Sequence, residues 1–289
     1  MKRFTKLWVL LIISLMGMAV FFAGCKEETE FELTPDRDVA ETLAGSIAMS
    51  TGGALDQLSD LCDLLYTPST EALEGKYPKT HYFMNKTFNS INGTWTIHLE
   101  RERGNPGETP YAVMTRDYTL QYLDSAGIPQ QYYITTDDTA RTVNFSIKGG
   151  TGQHVTRRIS QQLNAISGSW TVTNAHLPLV TINGSYTRAA VDTITGWNRT
   201  RISDHTLNLT FTDIVAPRGY QSAYPYFYQA VSGNMSGTFD ADITFIQGDA
   251  YNETSVHRSF SIDFGNGSGD IQIGSEHYRA NLYSGEILD

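Results

Sequence analysis

Cysteine is nearly absent from this chain: Cys25 and Cys62 are the only two in 289 residues, too few for a disulfide framework. Positive charge is scarce as well. Twenty-one Lys and Arg stand against 31 Asp and Glu, a formal net charge of −10. Nucleic acid, which wants clustered basic side chains, is therefore not expected as a partner. The seven histidines (His81, His98, His154, His176, His205, His257 and His277) show no H-x-H or H-E-x-x-H spacing. No G-x-S-x-G elbow occurs, and strands do not alternate with helices in a βαβ rhythm. No catalytic residue, metal ligand or cofactor is assigned on these grounds.

Long apolar runs are missing too. Leu7–Phe22 is uncharged for sixteen residues, short of the roughly 20 a bilayer-spanning helix needs. Lys2, Arg3 and Lys6 precede it, so residues 1–24 have the charged-then-apolar order of an export signal. Phe22-Ala23-Gly24-Cys25 ends that segment and resembles a bacterial lipobox. The resemblance implies cleavage before Cys25 and acylation of its thiol, which would anchor the mature chain in a membrane. The alternative is an ordinary signal peptide with a chance cysteine. Lys26-Glu27-Glu28 resembles the surface-export signal of Bacteroidota-type lipoproteins. Asp124-Ser125-Ala126, Asp138-Thr139-Ala140 and Asp192-Thr193-Ile194 resemble the short O-glycosylation triplets of that lineage. An outer-membrane lipid-anchored location follows, either surface-exposed or facing the periplasm. Removing residues 1–24 leaves 265 residues and takes away three basic side chains, so the mature net charge is near −13. No second cysteine is then left for Cys62 to form an intramolecular disulfide with, and within Leu61-Cys62-Asp63 it reads as a small buried hydrophobe.

Residues 25–33 read as a lipidated acidic tether. Residues 34–289 read as a single domain, with a helical segment over 34–66 and a β region over 80–289. Thr34-Pro35 supplies an N-cap and a first-turn proline, and Asp36 and Asp38 add favourable early charge. Val39, Leu43 and Ile47 form a helical stripe, Gly52-Gly53 breaks it, and Leu55, Leu58, Cys62 and Leu65 resume it up to Tyr66. Pro68 closes the segment. Both stripes need an apolar surface to lie on.

From about residue 80, apolar and polar residues alternate, as in Thr94–Leu99, Thr142–Ile147 and Leu207–Phe211. Period two marks antiparallel strands with one wet face. Gly104-Asn105-Pro106-Gly107, Gly149-Gly150-Thr151-Gly152 and Asn266-Gly267-Ser268-Gly269 read as turns, giving about ten to twelve strands. The fold expected is mainly β: a large antiparallel sheet or a β-sandwich, with the helical segment packed against it. A phrase of apolar, Asn/Ser, Gly, Ser/Thr and aromatic recurs around Gly93, Gly168, Gly184 and Gly237. In a strand its glycine leaves a notch that a neighbouring ring can cover, and the alternative is a bulge or tight turn.

Three stretches bear on function. Asp240 and Asp242 share a strand face, where two solvent-facing aspartates are the ordinary reading. Asp263–Asp270 is glycine-rich and acidic; a hairpin loop is expected, with a calcium loop as the alternative. Gly219–Tyr228 packs Tyr220, Tyr224, Tyr226, Phe227 and Tyr228 around Pro225. It is read either as core rings of an extended strand or as an exposed patch for a glycan or protein ligand. The function expected is an acyl-anchored envelope lipoprotein with a non-enzymatic binding or surface-assembly role. A carrier of an apolar ligand, and a hydrolase with a site assembled across the sheet, are the alternatives.

Overall fold

A computed structural model describes residues 35–66, 80–136, 138–219 and 226–288. The export segment, Cys25, the tether, Thr34, Pro68, Tyr220 and Tyr224 lie outside the described residues. Two helices come first, α1 (Pro35–Ile47) and α2 (Ala54–Leu64). The joint between them turns on Gly52 and Gly53. Gly52 is left-handed at φ 74°, and a Cβ on Gly53 would lie 2.6 Å from the carbonyl oxygen of Ala48.

Thirteen strands follow. They are β1 (Thr80–Asn89), β2 (Thr94–Arg103), β3 (Tyr111–Leu123), β4 (Pro129–Gln130), β5 (Thr142–Val155), β6 (Ile159–Thr173) and β7 (Leu179–Thr195). Then come β8 (Arg199–Pro217), β9 (Ser232–Gln247), β10 (Ala250–Gly265), β11 (Ser268–Ile273), β12 (Glu276–Asn281) and β13 (Ile287–Leu288), with a helical turn α3 (Phe227–Ala230) before β9. All belong to one antiparallel sheet in chain order, with β4 pairing on β3 at the side. The sheet alternative is therefore the correct one, and the sandwich is not formed. Neighbouring strands are joined locally, so no long crossover is needed.

The sheet curls around the helices. Strands as distant as β2, β3, β7, β8, β10 and β12 all contact α1, α2 or their joint. The expectation of helices lying by one face on an apolar surface needs correction for α2. All eleven of its residues are buried, polar ones included, because the sheet surrounds it. Ser50 in the joint links the two flanks. Its N–H donates to Tyr283 O at 2.9 Å, and its carbonyl accepts from Arg103 Nη2 at 3.1 Å.

Register explains the recurring glycine phrase. Gly168 lies opposite Tyr186, Gly184 opposite Trp170 and Phe211, and Gly237 opposite Phe260. A Cβ on Gly237 would lie 3.2 Å from the Phe260 ring. Gly184 and Gly237 thus admit a ring from the next strand, Trp170 and Phe260, whereas the notch at Gly168 is met by Ile147 and by strand backbone. The fourth, Gly93, takes φ 67° in the β1–β2 turn instead. The rings continue as an interior ladder, with Phe145 stacked on Trp170 at 5.8 Å and Trp170 edge-on to Phe211 at 5.2 Å.

Gly149–Gly152 is not a turn, contrary to its composition. It lies inside β5, next to a bulge opposite Asp117 and Tyr118. Gly150 and Gly152 admit Ile166 and Met114 from the flanking strands, whose atoms a Cβ would meet at 2.7 and 2.9 Å. Asn266-Gly267 is a two-residue hairpin turn with φ 52° and 77°, as expected for the 263–270 stretch.

Candidate functional site

Two features of the molecule bear on function: an aromatic ledge on its surface and a polar belt in its interior. The ledge begins at Tyr226, in extended conformation just before α3, and 55% exposed. Tyr228 lies 6.0 Å away, ring to ring, and Tyr283 a further 5.4 Å beyond it. Tyr283 is 41% exposed. Tyr228 leans over Gly267, where a Cβ would meet its ring at 3.2 Å. Phe227 and Tyr228 also touch the core, so the ledge is half sunk into rigid structure. Of the five aromatics singled out in sequence, Tyr226, Phe227 and Tyr228 are described. Phe227 and Tyr228 sit at a helical turn and not in an extended strand, which corrects the strand half of the core-strand reading, while their packing against the core agrees with the other half. Tyr283 joins them from 55 positions further along the chain than Tyr228. No local signal marked it.

The belt crosses the concave face of the sheet at one end. Residues in direct register run Arg103 (β2), Ala112 (β3), His154 (β5), Gln161 (β6), Asp192 (β7) and Ser203 (β8). One and two rows inward come Arg101, Met114, His205, Arg116 and Arg188, interleaved with Gly150, Gly152 and Ala190. These small residues leave room for the long arginines. The signal was present in sequence: each arginine falls in phase with the buried alternation, as in Met114-x-Arg116-x-Tyr118-x-Leu120.

Most of these charges are matched. Asp56 and Asp60, one turn apart on α2, face Arg101 and Arg116; Arg116 Nη2 lies 2.6 Å from Asp56 Oδ2. Tyr118 OH donates to Asp60 Oδ2 at 3.3 Å. On α1, Asp38 and Glu41 hold Arg201, with Arg201 Nη2 3.0 Å from Glu41 Oε2. Burial pushes the Asp38 carboxyl above its ordinary pKa, against the pull of Arg201. His205 Nε2 meets Ser46 Oγ at 3.1 Å, and burial lowers its pKa. The pair has the look of a nucleophile and base, but Ser46 is fully buried within α1 and presents no face to a substrate. Burial also lowers the His154 pKa to about 4, helped by Arg103 and Arg188.

At the edge of the belt is a small, shallow cleft lined by Met49, Ser50, Gly52, Arg103, Ala112 and Met114, among others. On the convex face, Asp240 pairs with His257, and Asp242 accepts from Ser255 Oγ at 2.6 Å. Both aspartates are exposed, as expected. His98 sits 2.7 Å from Asp117 and 3.2 Å from Glu100, and these hydrogen bonds raise its pKa. Among the described residues, no group of three or more His, Cys, Asp or Glu is placed to hold a metal ion. The space a carried apolar ligand would need inside the curve is filled by Leu43, Leu55, Leu58 and Leu61 of the helices.

Comparison with protein-family models, curated proteins and solved structures finds no match to this chain.

Proposed function

We propose that this protein is an acyl-anchored envelope lipoprotein that binds glycan at its surface, without catalysing a reaction. Acylated Cys25 would hold it to the outer membrane, and residues 25–33 would serve as the tether. The observation that carries the binding reading is the ledge of Tyr226, Tyr228 and Tyr283, three adjacent rings with two of them more than two-fifths exposed. Tyrosine offers a large apolar face at low entropic cost, with a hydroxyl that can bond a sugar. The ledge stands on the Asn266-Gly267 hairpin turn and the Tyr283 turn, so little ordering is needed on binding.

The test is affinity electrophoresis and pull-down with a panel of neutral and acidic polysaccharides. A variant carrying Tyr226→Ala, Tyr228→Ala and Tyr283→Ala serves as control. Retention of the wild type, lost in the variant at unchanged Tm, is the expected result. A wild type that none of the polysaccharides retards would overturn the glycan reading. Retention equal in wild type and variant would remove the ledge from it.

A further inference from the structure

Arg188 is the exception in the belt. It is fully buried, yet its Nε and Nη2 have no hydrogen-bond partner, and its Nη1 reaches only Gly52 O at 3.5 Å. The Nε/Nη2 edge of a guanidinium is a fork that takes two oxygens of a carboxylate side by side. A buried cation with that fork empty is costly, and its surroundings are incomplete in a complementary way. Asp192, four residues along the same strand face, accepts from Gln161 Nε2 at Oδ2 (3.0 Å), and its Oδ1 is unpaired. Gln161 Oε1, His154 Nδ1 and Ser203 Oγ are likewise buried without partners. Orphaned buried polar atoms are rare, and four residues of one register row (His154, Gln161, Asp192 and Ser203), with Arg188 two rows inward on the same face, account for six of them here.

The unpaired set is mixed in kind. Arg188 offers only donors, and Asp192 and Gln161 offer only acceptors at these atoms. Gly52 O, which Arg188 touches, also accepts from Arg116 Nη2 at 3.3 Å, and Gly52 lies against the Met114 side chain, so the guanidinium sits where the α1–α2 joint meets the two inner rows. The small cleft does not reach these residues but lies next to them: Ala112 in its wall is the register partner of His154, and Gly52 in its wall is touched by Arg188.

We propose that the belt is a binding site for a small bifunctional acid, a hydroxy acid or an amino acid. The carboxylate sits on the Nε/Nη2 edge of Arg188, and the hydroxyl or ammonium group sits against Asp192 Oδ1 and Gln161 Oε1. Ligand enters past the α1–α2 joint, where the flexible side chain of Met114 borders the cleft. The site is separate from the tyrosine ledge and does not depend on it.

Thermal unfolding with acetate, glycolate, glycine or inorganic phosphate tests the assignment on the whole mature protein. Glycolate or glycine is expected to raise Tm by roughly 5 °C or more near a hundredfold excess over Kd. Which of the two acts separates the hydroxy acid from the amino acid. Acetate, lacking the donor, should act more weakly, and phosphate should not act. Arg188→Met should abolish the response. Asp192→Asn should keep the acetate response and lose the preference for glycolate or glycine. The ledge variant should respond as the wild type does, which separates failure here from failure of the glycan reading. Should Arg188→Met not fold, a crystal structure of wild type soaked in glycolate and in glycine decides. Density for the acid between Arg188 and Asp192 supports the site, and ordered water alone there overturns it. A response to phosphate alone would also overturn it.

Discussion

Asp56 Oδ2 and Arg116 Nη2 lie 2.6 Å apart between α2 and β3, with both side chains almost wholly shut off from solvent. The same carboxylate oxygen meets Arg101 from β2, and Asp60 meets Arg116 from the next turn of α2. This knot orients the helix within the curled sheet, where apolar packing alone would tolerate rotation. Gln57, donating to Tyr186 OH at 2.7 Å, and Leu64 O, accepting from Tyr122 OH at 3.1 Å, fix the same orientation.

Removing one side of the knot leaves buried positive charge uncompensated. Asp56→Ala is expected to lower stability by about 3–5 kcal/mol. Urea unfolding checks this, and an unchanged midpoint would show that Arg101 and Arg116 find other partners at no cost.

Acid should destabilise the fold through His154. Its pKa, depressed to about 4 by burial and by Arg103 and Arg188, lies below the ordinary 6.5. Between those values the unfolded chain binds the proton and the folded chain does not. Stability is therefore complete above about pH 6.5 and falls as pH drops toward 4, by about 3 kcal/mol for this group. His205, also depressed by burial, acts in the same direction. The Tm of His154→Leu should depend less steeply on pH across that window than the wild type's.

The glycine notches should resist filling. In Gly237→Ala the new methyl would press on the Asn208 backbone and the Phe260 ring. Overpacking of this kind costs about 1–3 kcal/mol. Gly265→Ala, where no atom lies within 4 Å of the added carbon, should cost less in the same unfolding assay.

Thiol counting reports on both cysteines. Cys62 is 1% exposed, so the native protein should not react with a thiol reagent. After denaturation, mature protein acylated at Cys25 should yield one thiol, and unacylated full-length chain two. A denatured count of two in protein purified from host membranes would refute the anchor.

The two helices and their Gly-Gly joint, the antiparallel strands and the buried Cys62 were legible because each rests on local pattern. Val39, Leu43 and Ile47 repeat every four residues, and Thr142–Ile147 alternates. Gly149–Gly152 misled for a local reason: clustered glycines ordinarily mark a turn, and only the presence of Ile166 and Met114 opposite them makes them strand residues. Tyr226, Phe227 and Tyr228 stood out by composition, whereas Tyr283 reaches the ledge only because β11 and β12 return the chain beside Gly267.

By itself, the order of residues determined the two N-terminal helices, most of the strands, and which strand face is apolar. Those properties depend on neighbours within a few positions. Only the tertiary structure decided that one sheet curls around both helices, and that Arg101, Arg116 and Arg201 meet carboxylates there. It alone decided that the fork of Arg188 is left open. Pairing and burial of these charges depend on strand register and on residues up to 163 positions apart, as in Arg201 and Asp38, and no local pattern encodes that distance.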